Sequence, residues 1–246
     1  MIEVFELKKQ FGAVKALDGV SFNANSGAIT GLLGPNGAGK TTTLRMIGTL
    51  IAIDGGRARI DGTDVAADPD AARRACGLLT DSRGLYTRLT ARENIRYYAE
   101  LRGIDATRAE RVLARFTEWL DMKDILDRRT DGFSQGERMK VAITRALIHE
   151  PANVILDEPT NGLDVMSTRA LRELIQRLKA EGRTVVFSSH VMQEVAALCD
   201  EIVIIAHGRV TAQGTTNELL AQSGARNLED AFIALSESQS PTTEVA

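Results

Sequence analysis

The octapeptide GPNGAGKT, Gly34 to Thr41, follows the short apolar run AITGLL and leads into TTTLRMIGTL, whose apolar residues recur at helical spacing. A strand that turns through glycines into a helix at G-x-x-x-x-G-K-[ST] gathers backbone N–H groups, a helix N-terminus and a lysine around one point, which is what the phosphates of a nucleotide require. Gly34, Pro35, Asn36, Gly37, Ala38 and Gly39 supply the loop, Lys40 a full positive charge, Thr41 a hydroxyl for Mg²⁺, and Thr42 the next position of the phosphate-facing helix start. The rest of the chain has to provide a sheet on which that turn can sit.

It does so in pattern. AITGLL (28–33), VIL (154–156), TVVF (184–187) and IVII (202–205) are short apolar runs without alternation, as in parallel strands covered on both faces. Helical patterns follow from 41, over 167–182 and from 191, so strand and helix repeat and the fold class is α/β. Residues 2–7 and 14–22 alternate as half-buried strands, and GGRARIDGTDV (55–65) reads as a hairpin turning at Asp61-Gly62, which together make a small antiparallel β subdomain. The charge-rich, helix-patterned stretch of about 84–150 reads as an inserted helical lobe. It holds all three tyrosines and the only tryptophan. The α/β core and β subdomain thus take residues 2–83 and 151–220, within a domain reaching residue 231, and 232–246 is expected to be a disordered polar tail.

In NVILDEPTNGLD (153–164), Asp157 and Glu158 stand where an apolar strand ends, and two adjacent carboxylates there need cations or exposure to offset them. A metal ion and an attacking water fit that need, with one carboxylate on the metal and the other taking a proton. His190 follows TVVFSS, again at the carboxyl end of a central strand, where ligands gather in such sheets. His149, near a helix end before Pro151, is read as a dipole partner, and His207 as part of a His-Gly hairpin turn. Ser134 and Glu137 in DGFSQGERMK form a capping box at the start of another helix.

Composition narrows the class. A formal charge of −3 in 246 residues gives no electrostatic reason to expect nucleic acid. Two distant cysteines, Cys76 and Cys199, with no His/Cys cluster suggest neither disulfides nor zinc. The start MIEVFELKKQ does not read as a signal peptide, and no apolar run approaches the roughly 20 residues of a bilayer span.

The ordered set GPNGAGKT, FSQGE, VILDEP, NGLD and SSH resembles the ATP-binding cassette (ABC) family, in particular the separate nucleotide-binding subunit of transporters, over about residues 2–220. The resemblance implies a P-loop NTPase core with the two subdomains already inferred, and MgATP as its ligand. It assigns Phe11 to stacking on adenine, Lys40 to the β and γ phosphates, and Thr41 and Asp157 to Mg²⁺. It makes Glu158 the base for the attacking water and His190 the residue contacting the γ-phosphate. Ser134 and Gly136 of FSQGE would bind ATP held by a second subunit, and Asn161 to Asp164 would lie across that dimer interface. Glu137, standing where the family has Gln, is expected to turn back as a cap and leave phosphate alone. The family's glutamine linking the metal site to the transporter-facing lobe is replaced by Asp81, a possible metal ligand.

GLYTRLTARENI and NLEDAFIAL, with these two departures, resemble exporter subunits of the sodium-efflux and drug-efflux kind that work with ABC-2-type permeases. The implied protein is a homodimer or heterodimer of ATPase subunits, peripheral on the cytoplasmic face of the inner membrane, with Tyr86, Tyr97 and Tyr98 in the permease-docking region. The alternative is a non-transport ABC-type ATPase acting on ribosomes or nucleic acid.

Overall fold

The computed structural model describes residues 1–80 and 84–237. Strands β1 (Ile2–Phe11) and β2 (Val14–Ala24) form a long antiparallel hairpin, and β3 (Ile29–Leu33) runs into helix α1 (Lys40–Ile47). Strands β4 (Gly55–Ile60) and β5 (Thr63–Asp64) close the small sheet, in the order β2-β1-β4-β5. Their turn is Asp61-Gly62, both at positive φ (49° and 82°), as a two-residue hairpin of this hand requires. Helix α2 (Pro69–Ala75) leads to β6 (Cys76–Leu79), an edge strand of the central sheet that periodicity alone does not reveal.

The helical lobe consists of α3 (Ala91–Leu101), α4 (Ala106–Trp119) and α5 (Gln135–Leu147). Each starts at a side-chain cap, Thr90, Asp105 and Ser134 in turn. Ile95, Val112, Leu113, Phe116, Met139 and Ile143 are buried where the three pack together. Beyond them come β7 (Asn153–Leu156), α6 (Val165–Ala180), β8 (Thr184–Ser189), α7 (Met192–Leu198), β9 (Glu201–Ala206), β10 (Arg209–Gly214), α8 (Thr216–Ser223) and α9 (Leu228–Glu237).

The central sheet has the order β10-β9-β3-β8-β7-β6, parallel except for β10. Residues of its inner strands alternate between two cores. Val154, Leu156, Val185, Phe187, Ile202 and Ile204 face the helical lobe side, while Ile155, Val186, Val203 and Ile205 face the core shared with the antiparallel sheet. This is why those segments read as unbroken apolar runs. The sheet therefore ends three adjacent strands, β3, β8 and β7, at one edge, and the loops after them carry Gly34, His190 and Asp157.

Two expectations are corrected here. The chain does not become an unstructured tail at 232, because α9 continues to Glu237 with Ala231 and Leu235 buried and Phe232 packed on the core. His149 is not a charged dipole partner. Burial first, with Arg102, Arg183 and Arg108 adding repulsion, pushes its imidazole down to about 4, and its Nε2 meets the Cys76 carbonyl at 3.1 Å. His207, with Gly208, does make the turn between β9 and β10, at φ 50°.

Candidate active site

The phosphate loop begins where β3 leaves the sheet. Gly39 lies at φ 109°, which only glycine tolerates readily, and a Cβ there would stand 2.5 Å from Leu17 Cδ2 and 2.9 Å from the Ala16 carbonyl. As N-cap of α1 it offers no side chain, so the first-turn N–H groups are left for an anion. Lys40 is only 5 % exposed. Its Nζ donates to the carbonyls of Gly34 (2.7 Å) and Pro35 (3.3 Å) and lies 3.4 Å from Glu158 Oε1. A cleft of about 440 Å³ opens here, lined by the loop from Pro35 to Thr42 together with Ala16, Arg45, Glu158, Asn161 and His190.

Asp157 follows β7 and is 2 % exposed. Thr41 Oγ1 donates to its Oδ1 at 2.9 Å and Ser188 Oγ to the same oxygen at 2.8 Å. Its Oδ2 is buried with no hydrogen-bond partner among the described residues. Burial pushes this carboxyl above the usual range, and Glu158 adds to that against the two hydroxyl bonds and Arg45. A buried carboxylate with one oxygen unsatisfied, joined to a threonine hydroxyl, is the donor set a hard divalent cation takes, so the residues fit Mg²⁺.

Glu158 sits at φ 45°, a backbone state that costs on the order of 1–3 kcal/mol in a non-glycine residue and persists only when its surroundings hold it. They do so at three points. Its N–H donates to Ser188 Oγ (2.9 Å), Oε1 faces Lys40, and Oε2 pairs with His190 Nδ1 at 2.9 Å. One carboxylate is thus placed between a lysine and a histidine whose side chain is 48 % exposed at the cleft.

The FSQGE residues lie elsewhere. Ser134 Oγ accepts from Glu137 N–H (3.1 Å), Glu137 Oε2 accepts from Ser134 N–H (2.8 Å), and Arg128 pairs with Glu137 Oε1 at 2.8 Å. Glu137 therefore turns back as a cap. Gly136 packs against the start of α6, where a Cβ would come 2.3 Å from Ser167 Oγ. Asp164 caps α6 by accepting from Ser167 N–H and hydroxyl, at 2.8 and 2.9 Å. Gln135 Nε2 reaches the Asn161 carbonyl at 3.2 Å, so the two loops are joined within the chain. Ser134, Gly136 and Asp164 do not line the cleft around Lys40.

Phe11, at the end of β1, is 50 % exposed and is no core residue. Lys9 Nζ lies 5.4 Å from its ring centre. Tyr86, Tyr97 and Tyr98 form a chain of edge-to-face contacts at 5.4 and 5.8 Å, with Arg145 stacked 4.4 Å over Tyr98. Asp81 lies outside the described residues.

Sequence reasoning did not single out Ser188, Arg45 or Gln135. For Ser188 the only signal was a hydroxyl at the end of an otherwise apolar strand. For Gln135 it was a long amide beside a glycine.

The family profile described as ABC transporter matches residues 17–161. The ABC transporter ATP-binding protein NatA of Bacillus subtilis (strain 168) is 41 % identical over 231 residues, covering 94 % of this chain and 93 % of that protein. The daunorubicin/doxorubicin resistance ATP-binding protein DrrA of Streptomyces peucetius is 37 % identical over 227 residues, covering 92 % and 69 %. Among solved structures, an ATP binding subunit of an ABC transporter superposes with a TM-score of 0.89 at 32 % identity, over 96 % of this chain and all of that one.

Proposed function

The chain belongs to the ABC transporter family as an ATP-binding subunit, and from that premise we propose that it hydrolyses MgATP to drive export through a separate membrane permease. The observation that carries the chemistry is the convergence of Lys40, Asp157, Glu158 and His190 at the carboxyl ends of β3, β7 and β8.

Lys40 and the N–H groups of the loop and first turn of α1 bind the β and γ phosphates. A phosphate oxygen at Lys40 competes with Glu158 for the same ammonium, so substrate binding weakens the hold on the base. Glu158 then accepts a proton from the attacking water at Oε1 or Oε2, and His190 contacts the γ-phosphate. The Thr41 hydroxyl and Asp157 would hold Mg²⁺, which when bound would supply positive charge against the phosphate oxygens.

Ser134, Gly136 and Asp164, which stand away from this cleft, act on the nucleotide of a second subunit in a head-to-tail pair of identical or homologous chains. Closure is favoured because ATP binds the closed pair better than the open one, a preference lost on hydrolysis. No helix among the described residues is long and apolar enough to cross a membrane. In this reading the permease is a separate chain of the ABC-2 type. The subunit then sits on the cytoplasmic face of the membrane, with the Tyr86–Tyr97–Tyr98 surface toward the permease.

Relatives named for NatA, daunorubicin/doxorubicin resistance, linearmycin resistance and Nod factor export support the export reading over action on ribosomes or nucleic acid. The differing cargoes in the names of those relatives support a reading in which the permease chooses the cargo.

The test is Glu158→Gln. Turnover is expected to fall by ~10²–10⁴ while ATP binding persists. Wild-type multi-turnover hydrolysis by that variant, with contaminating ATPases excluded, would overturn the assignment. Co-purification of the tagged chain with a membrane protein tests the partner, and recovery with ribosomes instead would defeat the export reading.

A further inference from the structure

We propose that Ser188 is a positioning residue for hydrolysis, a single hydroxyl that fixes the metal-binding carboxylate and the backbone of the catalytic base relative to each other. The proposal rests on the reading of Glu158 as the base.

Strands β7 and β8 run parallel with Leu156 paired to Phe187, so the next rung sets Ser188 beside Asp157. A serine hydroxyl has one proton to donate and two lone pairs to accept with. Ser188 uses the proton on Asp157 Oδ1 (2.8 Å) and a lone pair on the Glu158 N–H (2.9 Å), and the residue is wholly buried. The first bond acts together with Thr41. Both hydroxyls donate to Oδ1, which orients the carboxylate and leaves Oδ2 as the oxygen without a protein partner. The second bond holds the amide of a residue whose φ of 45° requires support.

Asp157 and Glu158 lie just past the end of β7, and the backbone between them is tied to a neighbouring strand through the same atom that orients the first carboxylate. No other side chain bonds both residues among the described contacts. The adjacent Ser189 shows the contrast. It is equally buried, but its hydroxyl accepts from Val191 N–H (3.0 Å) and donates to Glu194 Oε2 (3.4 Å), which serves the start of α7.

The experiment uses the full chain with Ser188→Ala, Ser188→Thr, Ser189→Ala, Glu158→Gln and the Ser188→Ala/Glu158→Gln pair. Ser188→Ala is expected to lower kcat by on the order of tenfold to a hundredfold, as for a small misplacement of reacting groups. Its KM for ATP, and its Kd for a fluorescent ATP analogue in EDTA, are expected to stay within about twofold of wild type, because phosphate binding is Lys40's task. Ser188→Thr, which keeps the hydroxyl, is expected to recover most of kcat. Thermal midpoints of Ser188→Ala and Ser189→Ala are expected to fall together, so that stability does not account for the difference in rate.

Since Ser188 supports Glu158 as well as Asp157, the double variant is expected to lose less than the sum of the two single losses. A wild-type kcat for Ser188→Ala, a Thr variant as slow as the Ala one, or fully additive losses in the double variant would overturn the proposal. Undiminished hydrolysis by Glu158→Gln would instead overturn the base assignment on which it rests.

Discussion

The cleft around Lys40 and the loop face around Ser134 are both helix starts, yet they are built for different work. At α1 the N-cap is a glycine with no side chain to satisfy the first-turn N–H groups, and a buried lysine and two carboxylates surround it. At α5 the N-cap is a serine locked in a reciprocal bond with Glu137, and the neighbouring α6 is capped by Asp164. In the proposed reading, the first arrangement is the one that binds phosphate, holds a metal and moves a proton. The second holds a rigid, exposed surface, with Val165 and Met166 at 83 and 72 % exposure beside it. A surface of caps and glycines contributes positioning without acid–base chemistry, which suits a half-site that acts only when another chain brings the cleft to it.

Disabling each region in turn should separate binding from turnover. Lys40→Ala is expected to lose both ATP binding and hydrolysis, the latter by ~10² or more, since it removes the charge at the site of phosphate contact. Gly136→Asp is expected to lose hydrolysis as completely while binding of a fluorescent ATP analogue remains near wild type. The Cβ it adds would meet Ser167 Oγ at 2.3 Å and displace the start of α6, so circular dichroism should confirm that the fold is retained. If Gly136→Asp hydrolysed ATP normally, the loop face would be a structural cap alone and the comparison would fail.

Much of this is legible in the sequence. GPNGAGKT carries its own physics, because glycines, lysine and threonine act within eight consecutive residues. The capping box at Ser134 and Glu137 is equally local, and the apolar runs of β3, β7, β8 and β9 announce a sheet covered on both sides. What stayed hidden depends on contacts across the sequence. The approach of Lys40 to Glu158, the bond from Ser188 to Asp157, and the tie from Gln135 to Asn161 join segments that no periodicity relates. Strand β6 is not legible because CGLL is four residues at an edge, too short for periodicity to mark. The position of His149 near a helix end says nothing of its burial. Phe232 reads as part of the tail because polar residues beyond it dominate the composition there.

Phe11 gives a smaller test of the cleft's extent. Its ring is half exposed on the hairpin whose Ala16 lines the cleft. Phe11→Ala is expected to weaken ATP binding by about 1–3 kcal/mol, as for removal of one aromatic stacked on a base. Phe11→Tyr, which keeps the π face, should bind as wild type does. Inorganic triphosphate, which has no base, should bind both variants and wild type alike. Equal ATP affinity for Phe11→Ala and wild type would confine the cleft to phosphate recognition.

The smallest effects have opposite signs in the two regions, and they sharpen the comparison most directly. Asp157 has a folded-state pKa above its ordinary value through burial, so its ionised form is disfavoured in the folded chain, and it lowers stability at pH values above the unfolded-state pKa near 4. Asp157→Asn in the presence of a chelator should therefore raise stability by about 0.5–1 kcal/mol in urea denaturation at pH 7 while abolishing hydrolysis. Glu137 is held below its ordinary value, first by the Ser134 N–H and further by the Ser134 hydroxyl and Arg128. Its contribution is present above the unfolded-state value of about 4.5 and is lost as pH falls through the lower folded-state value. Glu137→Gln should cost about 0.5 kcal/mol at pH 7, at the low end for a cap, and leave hydrolysis largely intact. The gap from wild type should close as pH falls into the acid range. If Glu137→Gln abolished hydrolysis without loss of stability, the carboxylate would be reading phosphate, and the division between a chemical cleft and a capping face would be wrong at that residue.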